Sequence, residues 1–303
     1  MAAPRWGANV TARVLPRRTV LAWGLCAAAA MLLPGCGGSE PDTLAGLREA
    51  GRVRVGFADE PPYAYLDAEG RLVGSEVAVA STIFGRLGIA ELVPVKVAFD
   101  DLIPALEDGR VDAIVAGMFI TPDRCARVAF SEPTYAAPAV LAVPAGNPRG
   151  FTRYRDLREA GGVVGVLAGS VEAQHARGAG IPDDHIVEAA EPVDLVALLS
   201  TGAVDAFALS SLSVRSLQAA SGGAPFEVTD PFIPLVDGRP AVGAGGFAFR
   251  RGDDGLRTAV NAELARLRQE GSLEALVEPY GLRARELVPA ASLTADELCA
   301  VTR

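Results

Sequence analysis

The chain is poor in the residues that most catalytic and metal sites need. Its 303 residues include two histidines, four cysteines and two tryptophans. His175 and His185 stand ten apart with no cysteine or further histidine at ligand spacing, so they read as solvated or capping side chains and give a metal site no support. No phosphate loop, metalloprotease pair or nucleophile elbow is present, and Gly162-Val163-Val164-Gly165 lacks the third glycine of a dinucleotide fingerprint. Basic residues are short too, 28 against 37 acidic, and such a surface opposes nucleic acid. One apolar run, Thr19 to Leu33, stands out, and it is too short for an ordinary membrane-spanning helix.

What surrounds that run gives it a meaning. Arg5, Arg13, Arg17 and Arg18 precede it, and it closes on Leu33-Pro34-Gly35-Cys36, small residues before a cleavage point. The pattern resembles a lipoprotein signal in which residues 1–35 are removed and Cys36 carries the lipid, although Pro34 is unusual in that box. A plain secretory signal cut nearby is the alternative, and Arg17-Arg18 alone leaves Sec and twin-arginine export both open. Cleavage takes away four arginines and no acids, leaving a net charge near −13. Cys26 leaves with the signal and Cys36 goes to lipid. Cys125 and Cys299 then remain in an oxidising compartment, which favours a disulfide, with two buried free thiols as the alternative. Residues 36–42, rich in glycine and polar residues, form a short flexible tether.

Beyond the tether, strands and helices alternate. A helix over Thr43–Ala50 leads to a strand over Arg52–Phe57, then to the stiff loop Asp59-Glu60-Pro61-Pro62-Tyr63. Ser75–Leu87 has helical periodicity closed by Gly88, Leu92–Ala98 reads as a strand, Phe99 opens a helix to Glu107, and Val111–Ala116 reads as a strand. A second set of the same units runs from Tyr154 to Phe232, with Gly169-Ser170 and Ser210 at strand ends. Such alternation predicts mostly parallel sheets in α/β lobes, with ligands at the strands' carboxyl ends. Ala139–Val143 and Val242–Phe249 read as extended segments joining the two sets, and Leu256–Glu270 as a long amphipathic helix.

The chain converges on Gly117-Met118-Phe119-Ile120-Thr121-Pro122-Asp123-Arg124-Cys125. Thr121 is a good N-cap and Pro122 suits the first helical position, so a helix opens there with unpaired N–H groups available to an anion. Arg124 falls in the first turn, against the helix dipole, which points to an anionic partner; an exposed arginine, or one paired with Asp123 or Glu132, is the alternative. This stretch resembles the segment of bacterial extracellular solute-binding proteins, the amino-acid-type family serving ABC importers, in which a Thr-Pro-acid-Arg turn holds the ligand's carboxylate. The similarity runs from about Leu44 to Cys299, and within the family Gly117 to Cys125 most resembles the ectoine and hydroxyectoine binders.

The resemblance implies an α/β, two-lobed, type II periplasmic-binding-protein-like fold with the cleft between lobes. It assigns residues 43–142 to lobe 1, 143–246 to lobe 2 and 247–303 to a return into lobe 1, with hinge crossovers at Val140–Val143 and Gly246–Phe249. It implies a monomer without cofactor, held to the membrane by its N-terminal lipid, that passes a small zwitterion to permease subunits. The implied ligand set is Glu60, Tyr63, Phe99, Gly117, Phe119, Thr121, Arg124, Gly169, Ser170 and Ser210. Tyr63, Phe99 and Phe119 would offer aromatic faces to a delocalised cation, about 0.5 to 2 kcal/mol each, although each is also an ordinary core residue. Glu60 would accept N–H bonds from that cation and Arg124 would grip a carboxylate bidentately, while a solvated surface acid is the other reading of Glu60.

Two departures bear on the ligand. Relatives that bind α-amino acids usually place an aspartate where Ser210 stands, and a hydroxyl cannot balance a buried ammonium. Phe119 replaces the small polar residue common in amino-acid binders. Both point away from plain α-amino acids and toward ectoine, a cyclic amidinium carboxylate. Three rivals stay open: a polar or basic amino-acid binder, with Glu60 as the ammonium's partner; a periplasmic enzyme such as a cyclohexadienyl dehydratase, with Glu172 as its acid; and a sensor domain.

Overall fold

Two five-stranded sheets carry the chain, each built from the alternation of strands and helices legible in the sequence. The computed structural model describes residues 43–220, 226–236 and 238–300. The expected signal, the lipid-bearing Cys36 and the tether lie outside the described residues. The strands of the two large sheets, numbered along the chain, begin with β1 (Arg52–Phe57), β2 (Glu91–Lys96), β3 (Ala113–Ile114) and β4 (Val128–Phe130). They continue with β5 (Ala139–Pro144), β6 (Val164–Leu167), β7 (Ile186–Ala189), β8 (Ala206–Ser210), β9 (Phe226–Val228) and β10 (Ala248–Arg250).

In lobe 1 the order is β2-β1-β3-β10-β4, with β1 parallel to both β2 and β3, and β10 antiparallel to β3 and β4. In lobe 2 it is β7-β6-β8-β5-β9, with β6 parallel to β7 and β8, and β5 antiparallel to β8 and β9. Pro94 lacks a backbone donor and is accommodated because β2 is an edge strand. The central strand β8 is buried throughout, as its apolar sequence Ala-Phe-Ala-Leu requires with helices on both faces. In the first sheet β10 inserts between β3 and β4, and the helix Asp254–Gln269 buries Leu256, Val260, Leu264 and Leu267 in the same core as Val53, Val55 and Ile83.

The joining segments differ from the sequence reading. Ala139–Val143 is expected to cross between lobes, with the boundary at residue 142. It belongs instead to the strand Ala139–Pro144 of the second sheet, and all five of its residues are buried. The segments that pair between the lobes are Tyr135–Ala136 and Ala244–Gly245, antiparallel. Likewise Ala248 and Phe249, expected in the hinge, belong to the first sheet. An apolar run between two lobes is ambiguous by periodicity alone, because a hinge strand and a central sheet strand are equally apolar. The strand expected over Val111–Ala116 is also shorter, with only Ala113 and Ile114 in the ladder.

Candidate functional site

Each half of the site sits where a parallel strand ends, the place where an α/β sheet leaves backbone groups and helix starts open to a ligand. Glu60 and Tyr63 lie in a tight loop after β1, held by Glu60 N–H to Ala64 O at 2.9 Å and Tyr63 N–H to Glu60 O at 3.0 Å. Phe99 opens the short 3₁₀ turn after β2. Phe119 follows β3, and the one-turn helix Pro122–Cys125 carries Arg124, with the Thr121 hydroxyl accepting from Arg124 N–H as its cap. From lobe 2 come Ser170 and Glu172, at the start of the helix Val171–Gly178, and Ser210 at the end of β8.

These groups meet across the cleft. Tyr63 Oη lies 2.8 Å from Ser210 Oγ, which is 2.9 Å from Ser213 Oγ, and the Ser213 hydroxyl donates to Glu60 Oε1 at 2.6 Å. A continuous hydrogen-bonded path therefore joins the two lobes and ends on a carboxylate. Arg124 makes a second bridge: one terminal nitrogen donates to Phe119 O at 2.6 Å and the other to Gly169 O in lobe 2 at 3.0 Å. Its guanidinium carbon lies 5.4 Å from the Phe99 ring centre. Two of the five guanidinium N–H groups are used on carbonyls, which leaves donors for an incoming carboxylate.

The aromatic wall is a stack. Tyr63 and Tyr135 are 4.6 Å apart by ring centres, Phe119 and Tyr135 are 5.9 Å apart, and Tyr135 donates its hydroxyl to Gly117 O at 2.5 Å. Gly117 has φ +64°, and a Cβ there would come within 2.5 Å of Tyr63 Cδ2, so only glycine lets the Tyr63 ring lie over the backbone. Gly245, in the crossing pair, supports the same stack from behind: a Cβ would reach 2.6 Å from both Cζ and Oη of Tyr135. The ring cannot retreat, because Tyr63 packs on it and its hydroxyl is bonded. Gly245→Ala is therefore expected to cost about 1 to 3 kcal/mol in overpacking, read as a lower denaturation midpoint. An unchanged midpoint would show that the stack has slack.

Electrostatics follow from burial. Glu60 is 7% exposed and Glu172 5%. Burial pushes Glu60 up to about 7, with Glu172 adding repulsion and the Ser213 hydroxyl and Arg124 opposing. Glu172 is raised by the same loss of water. Arg124, partly buried, is pushed down to about 10 by desolvation, against the pull of Glu172, Tyr135 and Glu60. His175 is held down at about 4 by burial and by Arg124, so it is neutral at pH 7. Tyr63 and Tyr135 are raised by burial and remain neutral phenols.

Of the residues expected from the sequence, Glu60, Tyr63, Phe99, Gly117, Phe119, Arg124, Ser170 and Ser210 line one narrow cavity. Thr121 and Gly169 do not. Thr121 caps the Arg124 helix and lines a neighbouring cavity, its hydroxyl being used on the backbone. Gly169 acts through its carbonyl, which orients Arg124. Tyr135, Leu167, Val171 and Leu209 also line the cavity and were not anticipated. Glu172, named from the sequence as a rival enzyme's acid, lines it too. Cys125 and Cys299 meet as a disulfide, Cα–Cα 5.6 Å, so the tail is joined to the residue after Arg124.

Two sheets, a double crossing and a cleft with one arginine, buried acids and an aromatic wall define a two-lobed type II binding protein. The chain belongs to the bacterial extracellular solute-binding proteins, family 3, whose model matches residues 53–283. It is similar to the solved structure of EhuB in complex with hydroxyectoine, at 36% identity and a TM-score of 0.79, covering 86% of this chain and 99% of that one. A probable amino-acid ABC transporter periplasmic-binding protein, y4tE of Sinorhizobium fredii, is 31% identical over 260 residues, 85% of this chain and 86% of its own. The lysine/arginine/ornithine-binding periplasmic protein of Escherichia coli is 29% identical over 243 residues, 75% of this chain and 86% of its own. The protein is thus a solute-binding component of an amino-acid-type ABC importer, from a family of binding proteins rather than enzymes. Among the described residues no helix is long and apolar enough to cross a membrane.

Proposed function

We propose that the protein captures ectoine or hydroxyectoine outside the cytoplasmic membrane, anchored there through a lipid on Cys36, and delivers it as a monomer to its permease. The observation that carries this reading is the pairing of Arg124 with Glu60 across a cavity walled by Tyr63, Phe99 and Phe119. The ligand's carboxylate takes the free guanidinium donors of Arg124. Its delocalised ring cation lies against the aromatic faces, with its N–H groups donating to Glu60. The similarity to the hydroxyectoine-bound EhuB supports the same ligand class. The Cys125–Cys299 pair suits an oxidising compartment.

One observation favours a second reading, a basic amino acid. Glu172 adds a second carboxylate to the cavity, which answers the missing aspartate at Ser210 and gives an α-ammonium a partner. Calorimetric titration of the purified protein with ectoine, hydroxyectoine and the common amino acids separates the two. Saturable binding of ectoine or hydroxyectoine is expected. Tight binding of an amino acid with no heat from either compatible solute would overturn the ligand while leaving the transport role in place.

A further inference from the structure

The cavity holds more negative charge than a neutral zwitterion can balance. Glu60 and Glu172 both line it, more than nine-tenths buried, and among the described residues Arg124 is the one cationic side chain that lines it with them. With all three ionised the lining carries one net negative charge, and a zwitterion adds none. Its carboxylate would also occupy Arg124, the cation that now stabilises Glu172. Its cationic end would face Glu60, which already has the Ser213 hydroxyl and suits the ionised state. Glu172 would then be a buried carboxylate without a counter-charge, which is costly, and a proton removes that cost.

We infer that Glu172 selects the ligand by net charge: closure on a neutral zwitterion transfers one proton from solvent to the Glu172 carboxylate, and closure on a ligand of net charge +1 transfers none. The inference rests on reading the cleft as a zwitterion site. The other carboxylate in the cavity that titrates near pH 7 is Glu60, and the ligand's cationic end, together with the Ser213 hydroxyl, holds it ionised. On its own helix His175 is neutral and Gln174 uncharged; from the helix Tyr154–Glu159 comes the Tyr154 phenol, raised by burial and by Glu172 itself. Lobe 1 presents Arg124 and Glu60.

The sign of the pH effect follows. In the open, wet cleft Glu172 titrates lower than in the filled cleft, where it has lost water and its counter-charge. Between those values the complex binds more protons than the free protein, so affinity for a neutral zwitterion falls as pH rises, by up to about tenfold per unit. Above the raised value it falls no further.

Calorimetry in buffers of different ionisation enthalpy counts the protons directly. At pH 7 the wild-type protein should take up close to one proton per ectoine and none per L-arginine. Glu172→Gln should bind ectoine without uptake, lose the pH dependence, and lose tenfold or more in affinity for L-arginine. Ectoine binding without proton uptake by the wild type, or uptake that persists in Glu172→Gln, overturns the inference. If L-arginine binds and ectoine does not, the ligand assignment fails but the charge rule is still decided: uptake-free binding that weakens tenfold in Glu172→Gln upholds it, and proton uptake with L-arginine overturns it. Heat from neither ligand overturns both.

Discussion

Arg124→Ala is expected to weaken ectoine binding by about 2 to 5 kcal/mol, roughly thirty-fold to several thousand-fold, because it leaves the ligand's carboxylate buried and unpaired. The arginine's setting suits this proposed task. Its backbone is fixed by the Thr121 cap, and two terminal nitrogens are tied to Phe119 O and Gly169 O, which sets the plane of the fork. Since Gly169 belongs to lobe 2, the substitution also removes a bond that forms only when the lobes meet, so part of the loss falls on closure. Arg124→Lys separates the contributions. It keeps the charge but loses the planar fork, and should recover part of the affinity. Calorimetric titration of both variants checks this, and a loss under tenfold for Arg124→Ala would show that the carboxylate lies elsewhere.

Most of this site was legible because its residues sit at positions where local chemistry and topology agree. Thr121-Pro122 announces a helix start, the prolines after Glu60 stiffen a strand-end loop, and Gly169-Ser170 marks a turn into a helix; each is a short-range signal. The residues that escaped notice depend on contacts remote in sequence. Ser213 reaches Glu60 across 153 positions, and nothing around either residue encodes that bond. Tyr135 closes the stretch Phe130–Tyr135 just after the Arg124 turn, but its place in the wall appears only once Gly245 pairs with it and Gly117 accepts its hydroxyl. Glu172 enters the sequence reading as the acid of a rival enzyme, and its place in the cavity does not follow from position alone, since the helix dipole favours an acid in any first turn. The hinge was displaced for a similar reason: Ala139–Pro144 carries the composition of a crossing segment and of a central strand, and the sheet partners β8 and β9 decide between them.

Replacing Cys125 and Cys299 by serine is expected to lower stability by up to about 5 kcal/mol. The bridge closes a loop of 174 residues, and the chain-entropy model assigns that figure to a loop of such length, realised values being smaller. The native contacts around the bridge argue for a substantial share of it. The tail helix Ala295–Cys299 is capped by Thr294, and Ala295 N–H donates to Glu132 Oε2 at 3.0 Å. Ala295 itself is buried in the same core as Phe130 and Val128, with Leu298 and Cys299 packed against it. Without the bridge these few contacts alone must hold the helix Ala295–Cys299 in place. Because Cys125 directly follows Arg124, releasing it loosens the helix that aims the guanidinium, so a second and smaller effect on ectoine affinity should accompany the first. Urea unfolding followed by far-ultraviolet circular dichroism is the suitable measurement, since Trp6 and Trp23 both lie in the segment assigned to the signal. A double variant within about 1 kcal/mol of the wild type would show that the packing of Ala295 and Leu298 alone fixes the tail, and that the bridge adds little to it.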